Sequence, residues 1–406
     1  MTHTITSDDA IEFDPYSETF FADPYPIYRR LRDEQPVYHN PTYGFWALSR
    51  YHDVTPGMKD FQTYSSARGV TLDMVLDPNP PRTTMPMIIM MDPPAHTRMR
   101  KLVSKVFTPR AISELETMVH DIVHDFLGRV DPNEFDLFAD FSTLFPIEVI
   151  TTMLGVAPEY RQQLRQWHAA PMERSEGGGP TPEARQAVEA TVRFYHQLIA
   201  ERRARPGEDM ISRLIQVEVE REDGAVTALT DHEILGFASL LAGAGAETVA
   251  KLMASAAVVF ADHPDQWRAL REDRAKVPNA FEELLRYEGP VQYDLRYTMR
   301  EVHLHDRTIP AGSAVLMLLA SANRDERAFR DADRFDITRP FGGHNLGFGY
   351  GIHSCLGAAL ARLEGRVALN ALLDFMPEFE VDRAGLTRSR ETSVAGWASV
   401  PVRVRR

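Results

Sequence analysis

The pattern of apolar and polar positions along the chain predicts a mainly helical protein with a smaller β-rich part. The first hundred residues mix short β-like runs, such as Gly44 to Ser49, with proline-rich turns. From about Pro94 to Trp267 the apolar positions mostly recur with helical spacing. A short helix from Pro278 to Tyr287 and a β-like run from Ala314 to Leu319 follow. This order favours a mainly α fold of the α+β class.

The longest helical pattern runs from about Asp231 to Asp262. Thr230 and Glu233 have the spacing of a capping box, in which each side chain accepts a hydrogen bond from the other residue's backbone N–H. At about 1.5 Å per residue the helix would extend roughly 48 Å, far enough to cross the whole molecule. It is apolar nearly all round, which predicts a central buried helix. A transmembrane span is the competing interpretation, and Glu247 and Lys251 near the middle argue against it.

One irregular segment, 174–182, interrupts the helical region. Its three glycines and two prolines cannot continue a helix, so it predicts a loop between two helices. Two interpretations stay open for this loop, a surface connector and a lid over a buried site.

Composition and charge narrow the function classes. The 406 residues, 44% of them hydrophobic, suffice to bury a cofactor away from water. Acidic residues outnumber basic ones by 58 to 45, and the net charge of −13 argues against a nucleic-acid partner. The polar, acidic N-terminal segment shows neither a signal peptide nor a membrane anchor. A single cysteine excludes an internal disulfide framework, so a cytoplasmic location is expected.

That single cysteine lies in a glycine-rich loop just before a helix predicted from roughly Cys355 to Met376. Gly349 and Gly351 predict a tight turn that lets the backbone approach another group closely. A helix start favours a thiolate over a thiol at Cys355, and Gly357 leaves room beside the sulfur. An anionic sulfur in this position suits a metal bond, and a thiolate on haem iron favours O–O cleavage.

Three other interpretations compete for the same loop. A phosphate-binding loop would end in Lys-Ser or Lys-Thr, and this loop does not. A cysteine nucleophile needs a positioned base, and His353 is poorly placed for that, only two residues from Cys355. A lone cysteine can also be a small buried hydrophobic residue with no chemical role.

The segment from Phe348 to Gly357 resembles the haem-binding signature of the cytochrome P450 family, Phe-Gly-x-Gly-x-His-x-Cys-x-Gly, at every specified position. The resemblance extends over essentially the whole chain. It implies one haem domain spanning 1–406, with a large helical part around haem b and a smaller β-rich part. It further implies that Cys355 is the iron ligand, that Phe348 covers the sulfur and that His353 reaches a haem propionate.

On the long helix, residues 244–248 resemble the family's oxygen-activation motif. The small residues Ala244 and Gly245 would open the helix beside the haem. Glu247 and Thr248 would relay protons, because a hydroxyl next to a carboxylate can deliver them through water. Glu247 replaces the commoner Asp, which keeps the acid function and lengthens its reach. The competing interpretation is that Thr248 only bonds back to its own helix.

Two further sets of charges match the family. Glu283 and Arg286 form its Glu-x-x-Arg pair, a structural feature that would bind Arg339 or, as the runner-up, Arg334. The haem propionates would be held by charge-assisted hydrogen bonds from four residues of the family's propionate-binding positions. These residues are His96, Arg100, Arg296 and His353.

The resemblance also implies a substrate pocket lined by apolar side chains, several of them methionines, which adapt to irregular ligands. The predicted pocket residues are Met74, Met87, Ile88, Leu241, Val291, Leu295 and Trp397. The expected substrate is an apolar small molecule, such as a lipid, steroid, terpenoid or polyketide.

The implied reaction inserts one oxygen atom from O2 into that molecule. A ferredoxin or flavodoxin with its reductase would supply the electrons, and Arg98, Lys101, Lys105 and Arg110 could form a basic patch for it. Two rivals are a peroxide-driven haem-thiolate enzyme and a haem-binding protein without turnover. The acid–alcohol pair argues against both.

Overall fold

A computed structural model describes residues 11–72, 74, 86–104, 107–170, 181–220, 224, 226–340 and 345–405. Helices α1 to α15 are, in chain order, Glu18–Ala22, Tyr25–Glu34, Tyr51–Lys59, Ala95–Val103, Pro109–Ser113, Glu116–Leu127, Phe145–Leu154, Pro158–Ala169, Pro182–Ala204, Met210–Gln216, Asp231–Asp262, Pro264–Glu272, Val277–Tyr287, Leu319–Asn323 and Ala358–Phe375. Strands β1 to β14 are Val37–His39, Trp46–Leu48, Tyr64–Ser65, Phe135–Asp136, Glu218–Glu220, Val226–Ala228, Asp294–Thr298, Val302–Leu304, Arg307–Ile309, Ala314–Met317, Phe379–Val381, Thr387–Arg388, Trp397–Ser399 and Pro401–Val404. Three short 3-10 turns (Ile88–Met90, Arg274–Lys276, Gly351–His353) and a π-helical turn (Phe138–Ser142) complete these elements.

Helix α11 is the centre of the fold, with the predicted bounds and the predicted capping box. The Thr230 hydroxyl accepts from the Glu233 N–H at 3.2 Å, and the Glu233 carboxylate accepts from the Thr230 N–H at 2.8 Å. The helix packs against α7, α9 and α15. Within the described chain it is the one helix long and apolar enough to cross a membrane, but 72% of its most apolar stretch is buried inside the protein. It is therefore the core helix of the fold.

Helices α8 and α9 pack on α11 and on each other. Helix α8 ends at Ala169, and α9 begins at Pro182 after its N-cap Thr181. The predicted loop thus joins two helices, but residues 171–180 lie outside the described residues, and the choice between connector and lid stays a prediction.

The β-rich part is built around a five-stranded sheet with the order β1-β2-β10-β7-β3. Strand β10 runs parallel to β2 and antiparallel to β7. The sequence pattern predicted the strands at β2 and β10 but missed α2, which places Tyr28 and Leu31 in the core of this region. Short amphipathic helices among proline-rich turns give too few periods to be distinguished from irregular chain.

The predicted Glu-x-x-Arg pair is fully buried on α13. Arg286 donates from Nε and Nη2 to Glu283 at 2.7 and 2.8 Å. Arg339 donates from Nε to both Glu283 oxygens, at 3.1 and 3.2 Å, whereas the side chain of Arg334 is 70% exposed. The structure therefore selects Arg339 over Arg334 as the third member. This cluster ties α13 to the segment that leads into the cysteine loop.

Candidate active site

The cysteine loop is closed by its own backbone. The Cys355 N–H donates to the Phe348 carbonyl at 2.8 Å. Gly349 and Gly351 have φ of +67° and +72°, in the region that side chains disfavour. A methyl group on Gly351 would lie 2.5 Å from the Met58 carbonyl oxygen. The glycines of this motif therefore let the loop turn and approach the end of α3.

The Cys355 side chain is exposed to open space although it lies deep in the protein. Helix α15 begins at Ala358, and a methyl group on Gly357 would lie 3.9 Å from the sulfur, so there is room beside it. Burial raises the pKa of the thiol, although the Gly357 N–H and the charges of Arg100 and Arg362 lower it. The expected preference for the thiolate is therefore outweighed by desolvation, and a cation bonded to the sulfur would restore it.

The middle of α11 carries an exposed turn within an otherwise buried helix. Ala244 is exposed, and the Thr248 hydroxyl donates to its carbonyl at 3.0 Å. Open space therefore borders this turn, as the resemblance implied, and Thr248 also makes the bond back to its own helix. Gly245 faces elsewhere, since a methyl group there would lie 3.6 Å from Cγ1 of Ile150 on α7. The expectation that Gly245 lies beside the haem stays a prediction.

Glu247 does not stand alone beside Thr248. Its Oε1 accepts from Nζ of Lys251 at 2.7 Å, and Lys251 also donates to Glu391. Burial acts to raise the pKa of Glu247, but hydrogen bonding with Glu391 and the charge of Lys251 outweigh it and lower the pKa. Glu247 is therefore an ionised carboxylate at neutral pH.

The four predicted propionate anchors include two histidines in contact. The rings of His96 and His353 lie 4.4 Å apart, and both Nε2 atoms are buried without a partner in the described part of the chain. Burial and, next, the charges of Arg296, His96 and Arg100 together lower the pKa of His353 to about 3. A cationic cluster with orphaned donors fits an anion, and the two propionates of haem supply two carboxylates.

The predicted pocket residues differ in how deeply the structure buries them. Alternation along β7 puts Leu295 and Arg296 on opposite faces, and Leu295 is 1% exposed in the core around the sheet. Its assignment to the pocket is therefore corrected, because a cavity would expose it. Ile88 is buried, and the half-buried residues are Met74, Met87, Leu241, Val291 and Trp397. The Trp397 ring is covered by the guanidinium of Arg388, 3.8 Å away.

Sequence reasoning missed one half-buried and two buried polar side chains near the central helix. His168 on α8 packs over Gly243 of α11, where a methyl group would lie 3.5 Å from its Nδ1, and burial lowers the pKa of His168 to about 4. Tyr195 on α9 and Glu364 on α15 are buried as well. Their spacing fits ordinary helix faces, so no local signal separates them from surface residues.

Comparison with known proteins assigns the family. The family model described as Cytochrome P450 matches residues 181–388. A putative cytochrome P450 123 of Mycobacterium tuberculosis is 41% identical over 399 residues, covering 98% of each chain. The vitamin D(3) 25-hydroxylase of Pseudonocardia autotrophica is 36% identical over 404 residues, again covering 98% of each.

Solved structures agree with this assignment. Cytochrome P450 CYP109Q5 from Chondromyces apiculatus superposes with a TM-score of 0.86 at 36% identity, covering 97% of this chain and 98% of that one. The helical part around α11 with a small β-rich part is thus the cytochrome P450 fold. Members of this family are monooxygenases that bind haem b, iron protoporphyrin IX, and use O2 and a redox partner. The chain belongs to the cytochrome P450 family.

Proposed function

We propose that the protein inserts one oxygen atom from O2 into a C–H or C=C bond of an apolar small molecule, with Cys355 as the ligand of the haem iron. The observation that carries this proposal is the cluster of His96, Arg100, Arg296 and His353, with its unpartnered donors. The charges of Arg100 act on Cys355 as well as on His353, so the anchors and the sulfur belong to one site.

Haem, when bound, supplies the activation of O2, one atom of which leaves as water. The chain's own residues hold the cofactor and move protons. His96, Arg100, Arg296 and His353 would hold the propionates, and the N–H of Gly357 would stabilise the anionic sulfur. Phe348 packs against the main core beside the loop and would shield one side of the sulfur from water.

Glu247 and Thr248 would deliver protons on the other side. Thr248 lies on the exposed turn of α11, where its hydroxyl donates to the Ala244 carbonyl. The hydroxyl oxygen can still accept a hydrogen bond from a proton donor. Glu247 adjoins it in sequence and, each time it is protonated, would pass that proton toward the hydroxyl. The intact pair favours O2 over peroxide as the oxidant.

The substrate class is an extended lipid-like or polycyclic molecule. The half-buried pocket residues are apolar, and two charged side chains beside them are paired, Asp294 with Arg296 at 3.3 Å and Arg388 with Glu288 at 3.1 Å. The name of the vitamin D(3) 25-hydroxylase relative, which is 36% identical, supports a ligand of this kind.

The electron donor is a ferredoxin, or alternatively a flavodoxin, which would dock on the cysteine face. Lys101 and Arg110 are exposed there, while Lys105 lies outside the described residues. A solvent-open depression of about 620 Å³ borders the cysteine loop, with Lys59 and Arg362 in its wall. These cations suit an acidic donor protein.

The protein would work in the cytoplasm as one haem domain spanning 1–406. The chain has one cysteine and so no internal disulfide that would need an oxidising compartment. A reducing compartment would keep Cys355 unoxidised and available to bind iron.

The test of this function is the difference spectrum of the reduced, carbon-monoxide-bound protein. Wild type is expected to show the red-shifted Soret band of thiolate-ligated haem, and Cys355→Ala is expected to lose it. Ser354→Ala, one residue away, is the matched control and should keep the band. A spectrum that is the same in wild type and Cys355→Ala would contradict the proposed ligand.

The rival functions are separated by turnover. With a ferredoxin, its reductase and an apolar substrate that shifts the haem spin state, NADH consumption should match product formation. Product formed only with added peroxide would favour the peroxide-driven rival, and no product under either condition would favour a haem-binding protein.

A further inference from the structure

A buried lysine joins two carboxyl groups beside the exposed turn of α11. The side chain of Lys251 is 3% exposed, and its Nζ donates to Glu247 Oε1 at 2.7 Å, to the Val394 carbonyl at 2.7 Å and to Glu391 Oε2. All three N–H donors of the ammonium group are therefore used. Glu391 lies 140 residues from Lys251 in sequence, in the segment between β12 and β13.

The segment that carries Glu391 is fixed by its backbone. The Ala395 N–H donates to the Pro290 carbonyl and the Gln292 N–H to the Ser393 carbonyl, both at 2.8 Å. These bonds hold the segment against the chain that leads into β7. Glu391 is therefore held beside the helix by the fold and not by the lysine alone.

The same segment approaches the lysine very closely. A methyl group on Gly396 would lie 2.7 Å from Cβ of Lys251, so a glycine is required there. The buried stem of Lys251 is thus enclosed between α11 and the segment, and its ammonium group has one position available.

Two carboxyl groups and one ammonium group leave one negative charge without a partner. Glu247 and Glu391 are also hydrogen-bonded to each other, which requires a proton on one of them. Burial and, next, the hydrogen bond with Glu247 raise the pKa of Glu391 to about 8 although Lys251 lowers it, whereas the pKa of Glu247 is lowered. The shared proton therefore resides on Glu391 at neutral pH.

The other charges near this segment are already paired within the described chain. Arg388 donates to Glu288 at 3.1 Å, and Arg390 pairs with Glu18 at 2.9 Å. Glu247 and Lys251 are accordingly the charged groups that act on Glu391.

We infer that Glu391 is the proton donor to Glu247. This inference rests on the proposed function, in which Glu247 supplies protons to Thr248. In each cycle the Glu391 carboxyl first gives its proton to the Glu247 carboxylate, and the Glu247 carboxyl formed in this way then passes a proton toward Thr248. Glu391 then takes a proton from water, since 28% of its side chain is solvent-accessible. Each cycle of this relay carries one proton inward and leaves both carboxyl groups in their starting state.

Lys251 is a positioning residue in this relay. It holds both carboxyl groups within reach of one nitrogen and keeps the Glu247 carboxylate charged between transfers. Glu391 acts through Glu247 and so affects proton supply without contacting the reacting atoms.

The first test is infrared spectroscopy of the haem-bound protein, which needs no turnover. The measurement is made in the Glu364→Gln background, because the buried carboxyl of Glu364 would contribute a second band. This protein should show the C=O band of a protonated carboxyl at neutral pH, which disappears as the pH rises past about 8. Adding Glu391→Gln should remove the band, because the amide keeps the size and hydrogen bond but carries no titrating proton. Glu18→Gln, an exposed glutamate near the same segment, is the matched control and should keep it.

The second test is turnover in H2O and D2O. Glu391→Gln should lower substrate oxidation by about 100-fold, the lower range of general acid–base effects, and increase the solvent isotope effect. Substrate affinity should stay unchanged. Glu391→Asp, which still carries a proton, should recover part of the rate, whereas a purely structural role would give no such recovery.

The outcomes separate this inference from the proposed function. An infrared band indifferent to Glu391→Gln, or a variant with the rate and isotope effect of Glu18→Gln, would overturn the inference while wild-type turnover upholds the function. A wild type that shows the infrared band yet never oxidises a substrate would overturn the proposed function, and the relay with it.

Discussion

Burial decides the ionisation of several side chains whose sequence positions suggest otherwise. Cys355 precedes a helix, and His353 lies among residues that would bind an anion, yet desolvation is the largest influence on both. The pKa of the thiol is raised and that of the imidazole is lowered, so both groups favour the neutral form. Under the proposed function haem would supply the missing counter-charges, iron for the sulfur and propionates for the cations, so cofactor binding and ionisation would be coupled at this site.

A second consequence of burial concerns Glu364 on α15. Its side chain is 2% exposed, and burial raises its pKa well above the ordinary value. The folded state therefore keeps a proton that the unfolded state releases above about pH 4.5. Since the folded state binds more protons, its stability falls as the pH rises through this range.

The variant Glu364→Gln should remove this loss of stability with rising pH. Its free energy of unfolding relative to wild type is expected to increase steadily between about pH 5 and pH 8. Urea unfolding of the haem-bound protein at several pH values measures this difference. Glu378→Gln is the control for the removal of an exposed carboxyl group. If the difference between Glu364→Gln and wild type were independent of pH, the Glu364 carboxyl would not stay protonated in the folded state.

At the scale of elements, one buried cluster joins α13 to the segment before the cysteine loop. Glu283 accepts from Arg286 and Arg339, and the side chain of Arg339, 10% exposed, also donates to the carbonyls of Asp331 and Arg334. A lysine at position 339 cannot reproduce this set of donors, because it presents one nitrogen instead of a planar fork.

The variant Arg339→Lys is therefore expected to lose about 3 kcal/mol of stability, the typical cost of breaking a buried ion pair. Arg334→Lys changes an exposed side chain in the same segment and should stay within about 0.5 kcal/mol of wild type. Equal urea midpoints for the two variants would contradict the structural role of Arg339.

At the scale of the whole molecule, some exposed surface is basic although the net charge is negative. The chain carries −13 overall, yet Lys59 and Arg362 border the cysteine loop, and Lys101 and Arg110 are exposed on α4 and α5. A local basic face on an acidic protein orients an acidic donor during encounter, and salt weakens this attraction over about 10 Å at 0.1 M.

The double variant Lys101→Glu and Arg110→Glu should therefore reduce the rate of reduction by ferredoxin by about 10-fold or more at low salt. Stopped-flow reduction under carbon monoxide measures this rate, and the difference from wild type should shrink as salt increases. The control is the double variant Arg193→Glu and Arg205→Glu. It reverses two exposed charges on and just after α9, the helix that packs against α8. Unchanged reduction in the first variant would place the donor elsewhere.

Features that depend on near neighbours along the chain could be predicted from the amino-acid sequence. The bounds of α11 and its capping box follow from apolar periodicity and a three-residue spacing. The turn of the cysteine loop follows from its glycines, and the Glu-x-x-Arg pair follows from one helical turn. In each case the interacting groups are a few residues apart, so local spacing fixes their geometry.

Which distant groups meet became apparent only in the folded chain. Folding placed Glu391 beside Glu247, chose Arg339 over Arg334, turned Leu295 into the core and buried Glu364. The physical reason is that desolvation and Coulomb interaction depend on distance in space. A carboxyl group 140 residues from its lysine carries no sign of that contact in its own stretch of sequence.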